Sequence, residues 1–202
     1  MRTVYTMPNP CLTNEAQLLY AKALHDLAAP LGALTLCIDD IKQALPESAE
    51  LIETSIETLS QRIRYWRLMV TGGEQSPTYS EAIEIIKATA KTKMVEATFI
   101  NSQNYQGVYI RLLLVLSLVS LESLPRGGEI TIDADKGIVS ASGQKCYISQ
   151  EFQSAAQQEV DNPSSRHALG VFTYNLAKAC GVLVAIEWEP TKLVLTLKKS
   201  EI

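Results

Sequence analysis

The sequence is poor in the residues from which compact functional sites are most easily built. Cysteine occurs four times, at Cys11, Cys37, Cys146 and Cys180, and the gaps of 26, 109 and 34 residues contain no pair spaced to grip zinc or to staple a short loop. A metal finger and a disulfide framework are both excluded, the cysteines read as small hydrophobes, and a reduced, cytoplasmic setting is expected. Positive charge is also short: 18 basic residues face 22 acidic ones, for a net charge of −4. No basic surface is left over to neutralise a run of phosphates, so nucleic acid is not an expected partner. The longest apolar run, Val108 to Leu121, is 14 residues with Arg111 inside it, against the roughly 20 needed to cross a bilayer. Behind Met1 there is no apolar h-region of an export signal, so no membrane association is expected. Repeats and low-complexity tracts are absent as well.

What the sequence does have is an apolar share of 47% over 202 residues, sufficient for a real core, and a countable helical period. Leu24, Leu27, Leu31, Leu34, Ile38, Ile41 and Leu45 follow at intervals of 3, 4, 3, 4, 3 and 4, a heptad seam. Pro46 suits the first turn of a new helix, where its missing N–H costs nothing. Beyond it Ile52, Ile56, Leu59, Ile63, Trp66 and Val70 repeat the pattern at 4, 3, 4, 3 and 4. Helices over Asn14 to Leu45 and Pro46 to Val70, joined almost without a loop, must form an antiparallel hairpin roughly 40 Å long. Leu19, Leu36, Leu51 and Tyr65 lie beside the seams and widen each stripe beyond a two-helix contact. A second hairpin is the natural cover, which predicts a homodimer closed by a four-helix bundle.

The stretch from Thr71 to Tyr79, TGGEQSPTY, carries two glycines and a proline and reads as a linker. The expected organisation is a helical hairpin over residues 1–71, a linker over 72–79 and a second domain over 80–202. In that second part a helix is expected from Ser80, a short strand near Ala97 to Asn101, and a buried helix from Gln106 to Leu124. Strands follow over Glu129 to Ala134 and Ile138 to Ser142, then a helix over Ser165 to Cys180, and a final hairpin of Val182 to Trp188 and Leu193 to Leu197 around Pro190 and Thr191. The fold class is therefore α + α/β: a helical hairpin followed by a sheet backed by helices, an α/β sandwich.

Only two histidines are present. His167, beside Arg166 at an expected helix start, reads as structural. His25 takes heptad position b, on the wet flank of the bundle. Asp26 places a carboxylate next to it, able to orient an imidazole nitrogen and raise its basicity. Pro30 lacks an N–H and collides with the carbonyl of Asp26 one turn earlier, so a bend is expected just after His25. An interior proline costs about 3 kcal/mol, and its place within a regular seam asks for a reason. An exposed imidazole, an orienting acid and a local distortion on one face suit nucleophilic chemistry.

With these residues on one helix, the segment from Leu24 to Leu34, LHDLAAPLGAL, resembles the phosphoacceptor helix of histidine kinases, and more closely that of ChpT-type histidine phosphotransferases. The stretch IRYWRLMVTGG, from Ile63 to Gly73, is similar to the second-helix signature of the latter family. The resemblance implies a dimeric histidine-kinase-like hairpin followed by a degenerate copy of the kinase ATPase-like α/β sandwich. It implies that His25 accepts a phosphoryl group from one response-regulator receiver aspartate and hands it to another. The implied partners are receiver domains and, upstream, a phosphodonor kinase or a hybrid-kinase receiver. Magnesium is expected on the partner receiver only, and no cofactor or metal on this chain.

The departures from the kinase pattern carry information. Kinases usually have a basic residue three positions after the phosphoacceptor, where this chain has Ala28. LLLVLSLVSLE, from Leu112 to Glu122, has no asparagine to hold magnesium, ASGQK lacks the aspartate–x–glycine turn, and only Leu169 and Gly170 remain of a phosphate lid. Gly127, Gly128 and Gly170 are accounted for as a turn and a close helix–sheet contact. Counting 21 residues each way from Pro46 pairs His25 with Arg67, and Arg64 is a turn away, so both guanidinia are candidates to meet phosphate. The expected docking surface for a receiver runs over Ala29, Gly32, Ala33 and Leu36. Two other readings stay open: an ATP-dependent sensor histidine kinase, and a module that binds receivers without chemistry.

Overall fold

A computed structural model describes residues 19, 22–23, 26–27, 29–30, 32–34, 46–70, 76–100 and 107–199. The described residues between 19 and 34 are helical. They are followed by α1, Pro46–Val70, opened by the proline as its chemistry requires. Next come α2 (Tyr79–Thr92), β1 (Val95–Ile100), α3 (Val108–Glu122), β2 (Gly128–Asp133), β3 (Ile138–Ser142), α4 (Gln150–Gln157), a 3₁₀ turn (Ser165–His167), α5 (Ala168–Ala179), β4 (Val182–Glu189) and β5 (Lys192–Lys199). The linker expected over 72–79 closes at Thr78, which caps α2 through a reciprocal pair of bonds with Glu81.

The five strands lie in the order β1-β2-β3-β5-β4, with β1 parallel to β2 and all other neighbours antiparallel. Alternation decides which face is covered. Ile130, Ile132, Val139, Ala141, Leu193 and Leu195 point to the buried side, while Thr131, Ser140, Val194 and Thr196 between them remain half-exposed. Helix α3 has no polar face: every residue from Leu112 to Leu121 is buried. It can be so apolar because β2 and β3 cover one side of it and α1, α2 and α5 the rest.

Helix α1 packs differently from the expected seam. Tyr65, a flank position, is among the most buried residues, as is Met69, and with the buried Trp66 they join Leu19 and the sandwich residues in one hydrophobic cluster. Within the chain its cover is α2 and α3. Half of the expected seam instead faces outward: Ile56, Ile63 and Val70 are 50%, 51% and 47% exposed. Leu51 is also exposed, and Leu36 lies outside the described residues.

Within the sandwich, strands and helices fall close to their expected places. Helix α4 has no counterpart in the sequence reading, because its QEFQSAAQ holds too few apolar residues to show a period; Ser149 caps it and Phe152, Ala155 and Ala156 bury it. The helix expected from Ser165 begins as the 3₁₀ turn capped by Ser164. Gly170 is not a helix–sheet contact. It is where α5 meets α4: a Cβ there would stand 2.7 Å from the Ala155 Cβ and 2.9 Å from the Phe152 oxygen.

Candidate functional site

The residue next to His25 is held at both ends. Lys22, one turn earlier, donates to both carboxylate oxygens of Asp26 at 2.9 and 3.0 Å, an i, i+4 pair legible in the spacing. The main-chain oxygen of Asp26 accepts a 2.7 Å hydrogen bond from Nη1 of Arg62 on α1. Pro30 is buried and stands four residues after Asp26, where an ordinary helix would supply an N–H to that oxygen. The guanidinium therefore stands in for the missing amide. His25 itself lies outside the described residues.

The guanidinium at Asp26 is thus that of Arg62, which the counting from Pro46 did not single out. Arg64 faces α2, its Nη2 3.6 Å from Oε2 of Glu84 in an exposed pair. Arg67 is exposed as well, and both cations act on Glu81 at the start of α2. Of the expected docking positions, Ala29 and Gly32 are exposed and Ala33 is half-buried; Leu36 lies outside the described residues. A Cβ at Gly32 would meet nothing within 4 Å, so no neighbour among the described residues requires glycine there, although it costs a helix about 1 kcal/mol relative to alanine.

Two cavities meet at Glu122. A chamber of about 110 Å³ is lined by Asp26, Gln61, Arg62, Tyr65, Lys93 and Glu122, where α1, α2 and α3 converge. A wider cleft of about 610 Å³ opens on the other side of Glu122, lined by Lys22, Ser149, Glu151, Arg166 and Leu169 among others. Glu122 borders both. Glu122 is itself exposed at the end of α3, yet desolvation by the surrounding protein raises its carboxyl above the usual range and Asp26 adds to this, while Lys22, Lys93 and Arg62 oppose. The cations of the wide cleft are engaged: Lys22 with Asp26, and Arg166 with Glu151 at 3.6 Å. Leu169 lines the cleft, whose acidic groups are Glu122 and Glu151. Among the described residues no cluster of three or more histidine, cysteine or acidic side chains is placed to hold a metal ion. No helix there is long and apolar enough to cross a membrane.

His167 is engaged locally: its Nδ1 accepts from the main-chain N–H of Ser164 at 3.2 Å and lies 2.9 Å from the Ser164 hydroxyl. The residues missed in the sequence are Lys22, Arg62 and Glu122. Lys22 was signalled by its spacing to Asp26, and a donor near Asp26 by the N–H that Pro30 lacks. Which donor answers is a matter of helix register.

This arrangement is the fold of a known phosphotransferase class. A solved structure described as a bacterial phosphotransferase superposes with a TM-score of 0.80 over 96% of this chain and 98% of that one, at 16% identity. A histidine kinase of Acinetobacter baumannii, AdeS, aligns over 87% of this chain and 97% of its own, with 13% identity and a TM-score of 0.47. No curated protein matches the chain. Residues 80–192, more than half of the chain, match the family model of the histidine phosphotransferase C-terminal domain. The chain belongs to the histidine phosphotransferase family.

Proposed function

We propose that this protein is a phosphorelay intermediate in two-component signalling. It takes a phosphoryl group from a receiver aspartate onto His25 and passes it to a second receiver, without ATP. The neutral imidazole attacks the acyl phosphate, the aspartyl O–P bond breaks as the N–P bond forms, the carboxylate leaves, and the imidazole N–H proton is released. The receiver brings its own magnesium, so this chain needs only to aim the nucleophile and exclude water.

One observation carries the assignment of His25. The family transfers phosphate through histidine, only two histidines are present, and Nδ1 of His167 is engaged in the cap at Ser164. Independence from ATP is supported by Glu122 and Glu151 in the cleft that the kinase resemblance would give to a nucleotide, and by the lack of asparagine on α3. A homodimer is supported by the exposed stripe of Ile56, Ile63 and Val70, each seven residues from the next on α1. Asp26 orients the imidazole, and Ala29, Gly32, Ala33 and Leu36 with Arg64 and Arg67 receive the receiver domain.

Labelled ATP alone is expected to leave the protein unlabelled. A receiver charged with labelled acetyl phosphate is expected to label it, His25→Ala to abolish the label and His167→Ala to retain it. Labelling by ATP alone would instead make the chain an autokinase, and absence of label from every receiver tried would make it a docking module.

A further inference from the structure

We propose that Arg62 is a positioning residue for phosphotransfer, supplying the hydrogen bond that Pro30 withholds from the Asp26 carbonyl and so restraining the main chain of the residue bonded to His25. The role rests on His25 being the phosphoacceptor. In a helix the oxygen of residue 26 accepts the N–H of residue 30. Pro30 has none, and its ring pushes on that same oxygen. A carbonyl left unpaired in a part-buried place is unfavourable, and the main chain around it is free to wander. Arg62 ends that freedom with a charge-assisted bond of 2.7 Å from a helix 36 residues away in sequence.

The carboxylate of the same residue is gripped by Lys22 at 2.9 and 3.0 Å. Asp26 is thus held by its side chain from its own helix and by its main chain from α1. The peptide unit that links it to His25 inherits the restraint, because the Asp26 nitrogen is bonded to the carbonyl carbon of His25. In-line attack on an acyl phosphate tolerates little error, and a displacement of about 1 Å can cost on the order of a hundredfold. Arg62 acts through the backbone beside the nucleophile, which separates it from the exposed Arg64 and Arg67.

The test is a double-mutant cycle on the full-length protein with Arg62→Met and Pro30→Ala, using as probe a receiver domain charged with labelled acetyl phosphate. Arg62→Met is expected to slow single-turnover transfer at saturating receiver by about tenfold or more, with the half-saturating concentration within about twofold of wild type. Pro30→Ala restores the amide, so in that background Arg62→Met is expected to slow transfer by less than about threefold. Thermal unfolding of the same four proteins gives a second cycle: Arg62→Met lowers the melting temperature with Pro30 in place and much less with Pro30→Ala. Arg62→Lys, which keeps a charged donor, recovers part of the rate. An equal effect of Arg62→Met in both backgrounds, or a change confined to half-saturation, overturns the role. His25→Ala distinguishes this from failure of the underlying function: label persisting in His25→Ala removes the phosphoacceptor itself, whereas a flat cycle with His25-dependent label removes only Arg62.

Discussion

The hydroxyl of Tyr65 on α1 donates a 2.8 Å hydrogen bond to the main-chain oxygen of Leu114 on α3. Nε of Arg111 makes the companion bond to the oxygen of Met69 at 2.7 Å, while its guanidinium stacks 5.5 Å from the Phe172 ring. Helix α1 is thereby pinned to α3 by polar bonds set in an apolar contact. Burial first, and then Glu122, hold the Tyr65 phenol well above its ordinary pKa, so it stays a donor. Tyr65→Phe is expected to cost about 1 kcal/mol, and Tyr65→Ala about 3–5 kcal/mol through the cavity it leaves. Urea unfolding measures both, and equal costs would show that the hydroxyl contributes as much as the ring.

The start of α2 provides a pH-dependent prediction. The main-chain N–H of Thr78, and then its hydroxyl, hold the Glu81 carboxyl below its ordinary range. A depressed acid stabilises the fold above its unfolded pKa and loses that contribution as pH falls through the folded one. Glu81→Gln should therefore be less stable than wild type at neutral pH and converge on it in acid. Thr78→Ala should lose about 1 kcal/mol. A Glu81→Gln deficit that is constant from pH 7 to pH 3 would contradict the capping account.

Glu122 carries the opposite sign. Its pKa is raised, so the folded protein binds its proton more tightly than the unfolded chain does. Stability falls as pH rises through the window between the ordinary carboxyl value and the raised one. Glu122→Gln is expected to stabilise the protein at neutral pH and to flatten its stability profile across that window. The measurement is melting temperature against pH, and a neutral-pH loss of stability would reverse the assignment.

Gly170 leaves no room where α4 and α5 meet. Gly170→Ala places a methyl group against Ala155 and the Phe152 carbonyl, and overpacking of this kind costs about 1–3 kcal/mol. Calorimetry should show the loss, whereas Gly32→Ala, with open space around it, should leave stability equal or higher.

The outward stripe on α1 tests the proposed homodimer. Ile63→Glu, at a position 51% exposed in the single chain, should leave the circular dichroism spectrum intact and shift the protein to monomer in sedimentation equilibrium. An unchanged dimer would place the subunit contact elsewhere.

Periodicity and turn chemistry made most elements legible. The break at Pro46, the all-apolar α3, the β2–β3 hairpin and the final hairpin at Pro190 are local statements, and local patterning carries them. Helix α4 was illegible because only Phe152, Ala155 and Ala156 bury it. The heptad arithmetic counted Trp66 and Val70 alike, although one is buried and the other exposed, since a stripe on a helix does not say which of two partners will cover it.

By itself the sequence determined that helical segments precede a helix-backed sheet, that His25 stands beside an acid and ahead of a proline, and that this proline lacks the N–H a helix would offer one turn back. Those follow from covalent geometry and from the spacing of apolar residues. Tertiary structure decided that Arg62 is the donor, that Tyr65 and Met69 belong to the sandwich, and that Glu122 borders both cavities. Each of these depends on the rotation and offset of one helix against another, which side-chain packing settles only when the whole core is assembled.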